Sequence, residues 1–204
     1  MLIYLIRHGE TLGNAGRIVQ RPDSPLSPLG IAQAERLARQ LEAKGITRIV
    51  SSDLARAEMT SAPLQRVTGA SLMLHPLLQE RSFGDLRGTP YADLGFDLFA
   101  PAYVPPNGES WDVFHQRVDC AWTLLRDVAA TIEGNLAVVT HGLVCRSLAA
   151  RHLSLPAGAE VPARWENASV TIAEGRAPWR VSLLNSTAHL DGLADDARDN
   201  GSPV

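Results

Sequence analysis

Apolar residues fall in short blocks along this chain, and the blocks predict strands that alternate with helices. Residues 2–6 form a continuous apolar run, a pattern typical of a strand buried on both faces of a sheet. Further strands are predicted at 46–51, 71–74, 136–140, 170–173 and 179–184. This alternation predicts an α/β fold, a three-layer α/β/α sandwich with a mostly parallel central sheet.

Apolar residues at helical spacing predict helices at 28–44, 54–68, 111–133 and 142–153. Ser27 is a suitable N-cap for the first of them, and Pro28 suits the first helical position. Asp53 is the expected N-cap of the second helix. Gly45 and Gly134 follow the ends of the first and third helices, where glycine is common.

Two internal segments and the C-terminal tail lack such periodicity. Residues 9–23 are rich in Gly, Asn and Arg, and we expect them to be irregular and exposed. Residues 84–108 are rich in Gly and Pro, and a loop of this length is typical of an active-site lid or specificity insertion. The acidic tail, residues 191–204, is predicted to be disordered.

Length and charge narrow the class of protein. The 204 residues fit one domain, which we place at residues 1–190. A net charge of -3 gives no reason to expect nucleic acid or an anionic membrane as a partner. No stretch approaches the roughly 20 apolar residues of a membrane span, and residues 1–6 are too short for a signal sequence. We therefore expect a cytoplasmic protein; the oligomeric state is not fixed by the sequence, and a homodimer is one option.

The two cysteines, Cys120 and Cys145, lack the spacing of a metal site. They are expected to be buried free thiols in a reducing compartment. The sequence thus predicts neither a metal nor another cofactor.

Chemically active residues follow three of the predicted strands. The first strand ends in Arg7-His8-Gly9, and the strand at 136–140 is followed by His141. Arg56 lies in the first turn of the helix after the second strand. Ligands of such sheets bind at the carboxyl ends of the strands, so these side chains are expected to meet there. Arginines and helix N-termini bind phosphate, and two histidines among them indicate phosphoryl transfer through a phosphohistidine.

Several ordered segments resemble the histidine phosphatase superfamily, which includes the cofactor-dependent phosphoglycerate mutases. Residues 7–11 with Asn14 resemble its RHGET…N motif, and residues 51–57 resemble its SSDLxRA segment. The remaining matches are residues 78–84 (LxExxxG), 108–110 (GES), 140–142 (second histidine motif) and 185–190 (NxTxHL). The matches run in family order from residue 3 to residue 190, which implies a phosphoglycerate mutase-like fold.

The resemblance implies a role for each matching residue. His8 would be the nucleophile, and Arg7, Arg56 and His141 would hold the phosphoryl oxygens. Glu80 would protonate the leaving oxygen and then activate water. Substrate or phosphate contacts are expected from Asn14, Gln20, Arg21 and Gly142. No metal or cofactor is implied, and the partner is a small phosphate ester.

The same resemblance implies a hydrolase of phosphoric monoesters, of the histidine acid phosphatase type and of broad specificity. The runner-up is a phosphoglycerate mutase. Arg87 is the only basic residue between Phe83 and His115, so the lid segment suits an uncharged or aromatic leaving group. Val19-Gln20 stands where many relatives carry Gln-Gly, which puts substrate contacts from this loop in doubt.

Two other classes of protein are weaker alternatives. His8 and Glu10 form the H-x-E of zinc deaminases, but the P-C-x-x-C partner is missing. A phospho-ligand binding module without activity is disfavoured because every catalytic position is filled.

Overall fold

The computed structural model describes residues 1–174 and 177–193. The predicted disorder of the tail therefore falls almost entirely outside the described residues. Within them the strands are β1 (Leu2–Arg7), β2 (Ile46–Ser51), β3 (Ser71–Leu74), β4 (Asn135–Thr140), β5 (Leu153–Ser154), β6 (Val170–Glu174) and β7 (Trp179–Ser186). The helices are α1 (Leu12–Ala15), α2 (Pro28–Leu41), α3 (Ala55–Thr68), α4 (Trp111–Thr131) and α5 (Gly142–His152).

The strands form one sheet in the order β3-β2-β4-β1-β6-β7-β5. Neighbouring strands pair in parallel except at β6, which is antiparallel to both β1 and β7. The predicted mostly parallel α/β sheet is therefore confirmed. Parallel pairing brings the carboxyl ends of β1, β2 and β4 to one edge of the sheet.

Both faces of the sheet are covered, which explains the apolar run in β1. Ile3 and Leu5 pack into a core with residues of α4 and α5. Tyr4 and Ile6 point the other way and pack with residues of α2 and α3. Successive side chains of a strand point to opposite faces, so a strand between two helical layers must be apolar at every position.

Two local expectations were wrong. Helix α3 begins one residue later than predicted, with Leu54 at the N-cap, while Asp53 accepts a hydrogen bond from Gln79 Nε2 at 2.8 Å. The segment 9–23 is not simply irregular and exposed. It contains the short helix α1, and Thr11 and Val19 are buried. Its polar residues turn inward and bond to one another, which a count of polar residues cannot indicate.

The Gly- and Pro-rich segment 84–108 folds into a small ordered unit. Leu98 is buried against Phe83 and Val19, and short 3-10 turns cover Gly84–Leu86 and Tyr91–Asp93. Gly84 has a φ of 51°, and a Cβ there would stand 1.9 Å from the Pro106 carbonyl oxygen, so no other residue fits. The segment packs over the same sheet edge at which β1 ends.

The two cysteines differ in their exposure to solvent. Cys145 is buried, but Cys120 is exposed, so the expectation of two buried thiols was wrong for Cys120.

Within the described part of the chain, no helix has the length and apolar character needed to cross a membrane.

Candidate active site

His8 and His141 follow adjacent parallel strands and therefore lie side by side. Arg7 pairs with Thr140 in the register of β1 and β4, and the His8 N–H donates to the Thr140 carbonyl at 2.9 Å. The two imidazole centroids are 5.1 Å apart, and both rings are buried. The register of β1 and β4 thus brings the two histidines together at the carboxyl ends of these strands, where the sequence predicts them.

A hydrogen bond fixes the tautomer of His8. Its Nδ1 lies 2.7 Å from the Gly9 carbonyl oxygen. Because a carbonyl oxygen can only accept, Nδ1 carries the proton and Nε2 keeps its lone pair. His8 lines the cavity at the sheet edge, so this arrangement leaves Nε2 as the nucleophilic nitrogen.

His141 is buried next to this ring and is not among the residues that line the cavity. Its Nε2 is 2.9 Å from the Ser52 hydroxyl, and its Nδ1 is buried without a hydrogen-bond partner among the described residues. Buried polar atoms are normally paired. The open Nδ1 is therefore a candidate contact for a phosphoryl oxygen, the role expected for this residue.

Arg7 and Arg56 bring two guanidinium groups to the same cavity. Arg7 Nη1 donates to the Trp165 carbonyl, and Arg56 Nη1 donates to the Arg21 carbonyl at 3.1 Å. The Nε atoms of both arginines are buried and unpaired within the described chain. Burial, more than the neighbouring Arg7, lowers the pKa of Arg56 to about 10, so this side chain is still a cation at neutral pH.

The same cations keep both histidines neutral. Burial is the largest cause that lowers the pKa of His8 well below 6.5, followed by the positive charges of Arg56 and Arg7. Burial and the charge of Arg56 also hold the pKa of His141 well below 6.5. A neutral imidazole is the form that can attack phosphorus.

We predict that neither His8 nor His141 titrates near pH 6.5. In 15N spectra of histidine-labelled protein, both rings should stay neutral as the pH falls through 6.5, with the His8 proton on Nδ1. Arg56→Gln should raise the pKa of His8 without restoring its ordinary value, since burial is the larger cause. A His8 ring that is protonated at pH 6 in the unmodified protein would contradict this prediction.

Asn14 and Gln20 are joined through Thr11. The Asn14 Oδ1 accepts from the Thr11 N–H at 3.2 Å and from Asn167 Nδ2 at 3.1 Å, which aims its Nδ2 away from these partners. The Thr11 hydroxyl lies 2.8 Å from Gln20 Oε1. Asn14 and Gln20 both line the cavity, each with an amide N–H₂ left for a ligand.

Arg21 does not lie in the cavity wall, whereas Gly142 does. The Arg21 side chain is exposed, is not part of the cavity wall, and lies against Gly88, whereas its carbonyl holds Arg56. Gly142 lines the cavity at the start of α5. A Cβ on Gly142 would stand 3.4 Å from Arg7 Nε, an ordinary contact distance, so the Arg7 guanidinium group lies directly beside the first residue of α5.

Glu80 faces the cavity from the segment after β3. Its carboxylate accepts the Arg81 N–H at 3.0 Å and the Leu143 N–H at 3.2 Å. Burial raises the pKa of Glu80, while these two N–H groups and the nearby Arg56 act in the opposite direction. A carboxyl group with a raised pKa in the same cavity as a neutral histidine has the properties of a general acid.

An ion pair holds the backbone that carries Glu80. Arg117 donates to both carboxylate oxygens of Glu109, at 2.8 and 2.7 Å, and to the carbonyls of Leu77 and Gln79. Burial alone would raise the pKa of Glu109, but hydrogen bonds from Arg117 and the Ser82 N–H hold it below its usual value. Arg117 and Glu109 thus bond to residues on both sides of Glu80 and hold its backbone in position.

Sequence reasoning missed several residues of this cavity. Arg17, Arg146 and Arg164 line it, and Asn167 donates to the His8 carbonyl at 3.2 Å. Arg146 could have been found, because it lies one helical turn after Gly142. The others belong to loops, where the sequence gives no period to follow.

Three of the four remaining histidines have hydrogen-bond partners outside the cavity. His115 bonds to the Ser147 hydroxyl, His152 bonds to Asp119, and His75 caps a short turn. In the described part of the chain, no group of three or more His, Cys, Asp or Glu side chains could hold a metal ion.

Comparison with known proteins agrees with this geometry. The chain belongs to the Histidine phosphatase superfamily (branch 1), whose pattern it matches over residues 3–187. It is 34% identical to "Probable phosphoglycerate mutase GpmB" of Yersinia pestis, over 95% of this chain and 97% of the relative.

Similar solved structures include phosphatases of this superfamily. A mycobacterial glucosyl-3-phosphoglycerate phosphatase has a TM-score of 0.77 and 29% identity, covering 91% of this chain and 99% of that one. The alpha-ribazole phosphatase of Shigella flexneri has a TM-score of 0.79 and 26% identity, covering 91% and 96%. Membership of the family supports a phosphatase or a mutase, and these comparisons do not choose between the two.

Proposed function

We propose that this chain is a phosphomonoester hydrolase that acts through a phosphohistidine on small phosphorylated metabolites, with broad specificity. The observation that carries the proposal is the fixed tautomer of His8. Its Nε2 lone pair is available in a cavity that also holds Arg7, Arg56 and Glu80. Such an enzyme is a phosphoric monoester hydrolase of the histidine acid phosphatase type.

The reaction runs in two balanced steps. The Nε2 lone pair of His8 attacks phosphorus, the ester P–O bond breaks, and the leaving oxygen takes the proton of Glu80. The ionised Glu80 then removes a proton from water, whose oxygen attacks phosphorus while the P–N bond breaks. Phosphate leaves and His8 is neutral again. Arg7 and Arg56 stabilise the charge on the phosphoryl oxygens in both steps.

Access of water favours hydrolysis over mutase chemistry. The cavity has a volume of about 460 Å³, and exposed side chains such as Arg17, Arg87 and Phe99 stand in its wall. A mutase must keep water from the phosphohistidine while its intermediate reorients. An open cavity makes that protection difficult, and the phosphohistidine is expected to react with water.

A phosphoglycerate mutase is the second candidate. It is favoured by the arginines beyond Arg7 and Arg56 in the cavity wall, because a mutase must bind a carboxylate and a second phosphate. The name of the Yersinia relative points the same way.

The deciding experiment measures phosphate release and isomerisation side by side. The protein, dialysed against EDTA, receives either p-nitrophenyl phosphate or 3-phosphoglycerate with a catalytic amount of 2,3-bisphosphoglycerate. We expect phosphate release from p-nitrophenyl phosphate, little 2-phosphoglycerate, and no loss of activity after chelation. Fast isomerisation with negligible phosphate release would establish the mutase instead. Activity that disappears with EDTA and returns with a divalent ion would contradict the metal-free mechanism.

A further inference from the structure

Four exposed arginines stand in the wall of the active-site cavity, in addition to Arg7, Arg56 and the buried Arg81. We call them the mouth arginines: Arg17, Arg87, Arg146 and Arg164. They come from separate parts of the chain. No continuous segment shows this concentration of charge.

The mouth arginines fall into two groups according to the segments that carry them. In the first group, Arg146 belongs to α5, and Arg164 precedes Trp165, whose carbonyl accepts from Arg7. In the second group, the segments of Arg17 and Arg87 are bonded together, because the Arg17 carbonyl accepts the Tyr91 N–H and the Val19 carbonyl accepts the Gly88 N–H.

These cations have little negative charge to balance them. Glu80 is the sole acidic residue among those that line the cavity in the described chain. Arg164 reaches Glu166 at 3.8 Å, and Arg87 Nη2 donates to the neutral Ser82 hydroxyl at 3.2 Å. Within the part of the chain that the structure describes, no carboxylate lies within 4.0 Å of Arg17 or Arg146.

This concentration of positive charge acts on the catalytic groups. Burial is the main cause that lowers the pKa values of Arg7 and Arg56, and the charges of Arg164 and Arg87, respectively, lower them further. The net charge of the whole chain is -3, so the positive charge of the cavity is opposite in sign to that of the protein as a whole. A phosphoryl dianion held by Arg7 and Arg56 leaves the mouth arginines uncompensated.

The space between the charges fits an organic body of moderate size. The volume of about 460 Å³ lies within the usual range of small-molecule sites, roughly 300–1,000 Å³. Phe83, Tyr91 and Phe99 form an aromatic part of the wall. The body of a ligand can lie against these rings while its ends contact arginines.

We infer that the natural substrate carries a second anionic group, a carboxylate or a second phosphate, which the mouth arginines bind while His8 attacks the transferred phosphoryl group. This inference rests on the proposed phosphotransfer at His8. It replaces the sequence-based expectation of an uncharged leaving group, which considered only the lid segment and its single cation, Arg87. The cations come from elsewhere in the chain.

The test compares probes that differ in the second charge. 4-Carboxyphenyl phosphate and its neutral isostere 4-carbamoylphenyl phosphate keep the same ring, and 1,4-phenylene bisphosphate distinguishes phosphate from carboxylate as the second anion. We expect kcat/KM to be about tenfold or more higher for at least one charged probe than for the neutral one, the effect of one charge-assisted hydrogen bond. The ratio should fall as salt is added, because exposed charges are screened.

Two double variants locate the subsite. Arg146→Ala/Arg164→Ala and Arg17→Ala/Arg87→Ala each remove one group. At least one of them should bring the ratio of kcat/KM values close to one, because the loss falls mainly on the charged probe. The control is Arg126→Ala, an exposed arginine of α4 away from the cavity. A wild-type ratio of one or less for both charged probes, or a ratio that neither double variant changes, would overturn the inference.

Failure of the proposed phosphotransfer at His8 would look different. In that case no probe would be hydrolysed and no phosphohistidine would form, whatever the second charge. Calorimetric binding of the same three probes to the unmodified protein then decides the subsite. Equal affinities for charged and neutral probes would reject it, and a preference that the double variants remove would support it.

Discussion

His8→Ala should lose the phosphohistidine and at least ~10⁴-fold of kcat on any phosphate ester, as expected when the nucleophile of a covalent mechanism is removed. No other histidine of the described residues lines the cavity, and His141 is fully buried next to the His8 ring. Rapid quenching without acid, with labelled substrate, followed by mass spectrometry, should place the label on His8 of the unmodified protein.

The control for this result is a histidine outside the cavity. His115→Ala removes a ring that contacts Ser147 and Trp111 and should leave labelling and turnover close to those of the unmodified protein. His141→Ala should slow the reaction but still permit a label on His8, because its expected role is to hold oxygens. Label on another residue, or full turnover by His8→Ala, would refute the mechanism.

Glu80→Gln should slow the reaction according to the leaving group. For glycerol 3-phosphate, whose alkoxide leaves poorly without a proton, kcat/KM should fall by about 10²- to 10⁴-fold. For p-nitrophenyl phosphate the loss should be much smaller, since nitrophenolate leaves without protonation. The measurement is kcat/KM, because this quantity does not include the later attack of water on the phosphohistidine.

The pH dependence of kcat/KM provides a second test of the role of Glu80. Burial raises the pKa of Glu80, so its acid form persists above the ordinary value of 4.5. For glycerol 3-phosphate, kcat/KM should fall as the pH rises through that raised pKa, and this alkaline limb should vanish in Glu80→Gln. Glu58→Gln, at an exposed position of α3, is the matched control. Equal losses on both substrates would indicate a structural role for Glu80.

The sequence predicted best what depends on strand ends. The positions of His8, His141 and Arg56 follow from apolar runs and parallel pairing, since the carboxyl ends of neighbouring strands must meet. The start of α3 was placed one residue early, because Asp53 is a good N-cap by type but bonds to Gln79. Local preference yields here to a side-chain contact between distant segments.

Residues in loops could not be predicted in the same way. Asn167 contacts the carbonyls of His8 and Gly9 from a stretch without periodicity, and Arg164 reaches the cavity from the same stretch. The lid segment was predicted from its Gly and Pro content, but the charge of the cavity was not, because the arginines in its wall come from separate parts of the chain. A contiguous window of sequence cannot sum charges that only folding brings together.

The central position of β1 has a consequence for synthesis of the chain. Its two neighbours are β4, paired at Ile3–Leu136, and β6, paired at Leu2–Glu174, and both are synthesised long after it. At a translation rate of about 5–20 residues per second, β1 waits for roughly 10–30 s before its second partner exists. Both edges of this apolar strand are unpaired until β4 is made, and one edge stays unpaired until β6 is made, which favours chaperone binding or aggregation. A nascent chain that ends before β6 therefore has no completed phosphoryl pocket, and the ribosome must finish nearly all of the domain before any substrate can be turned over.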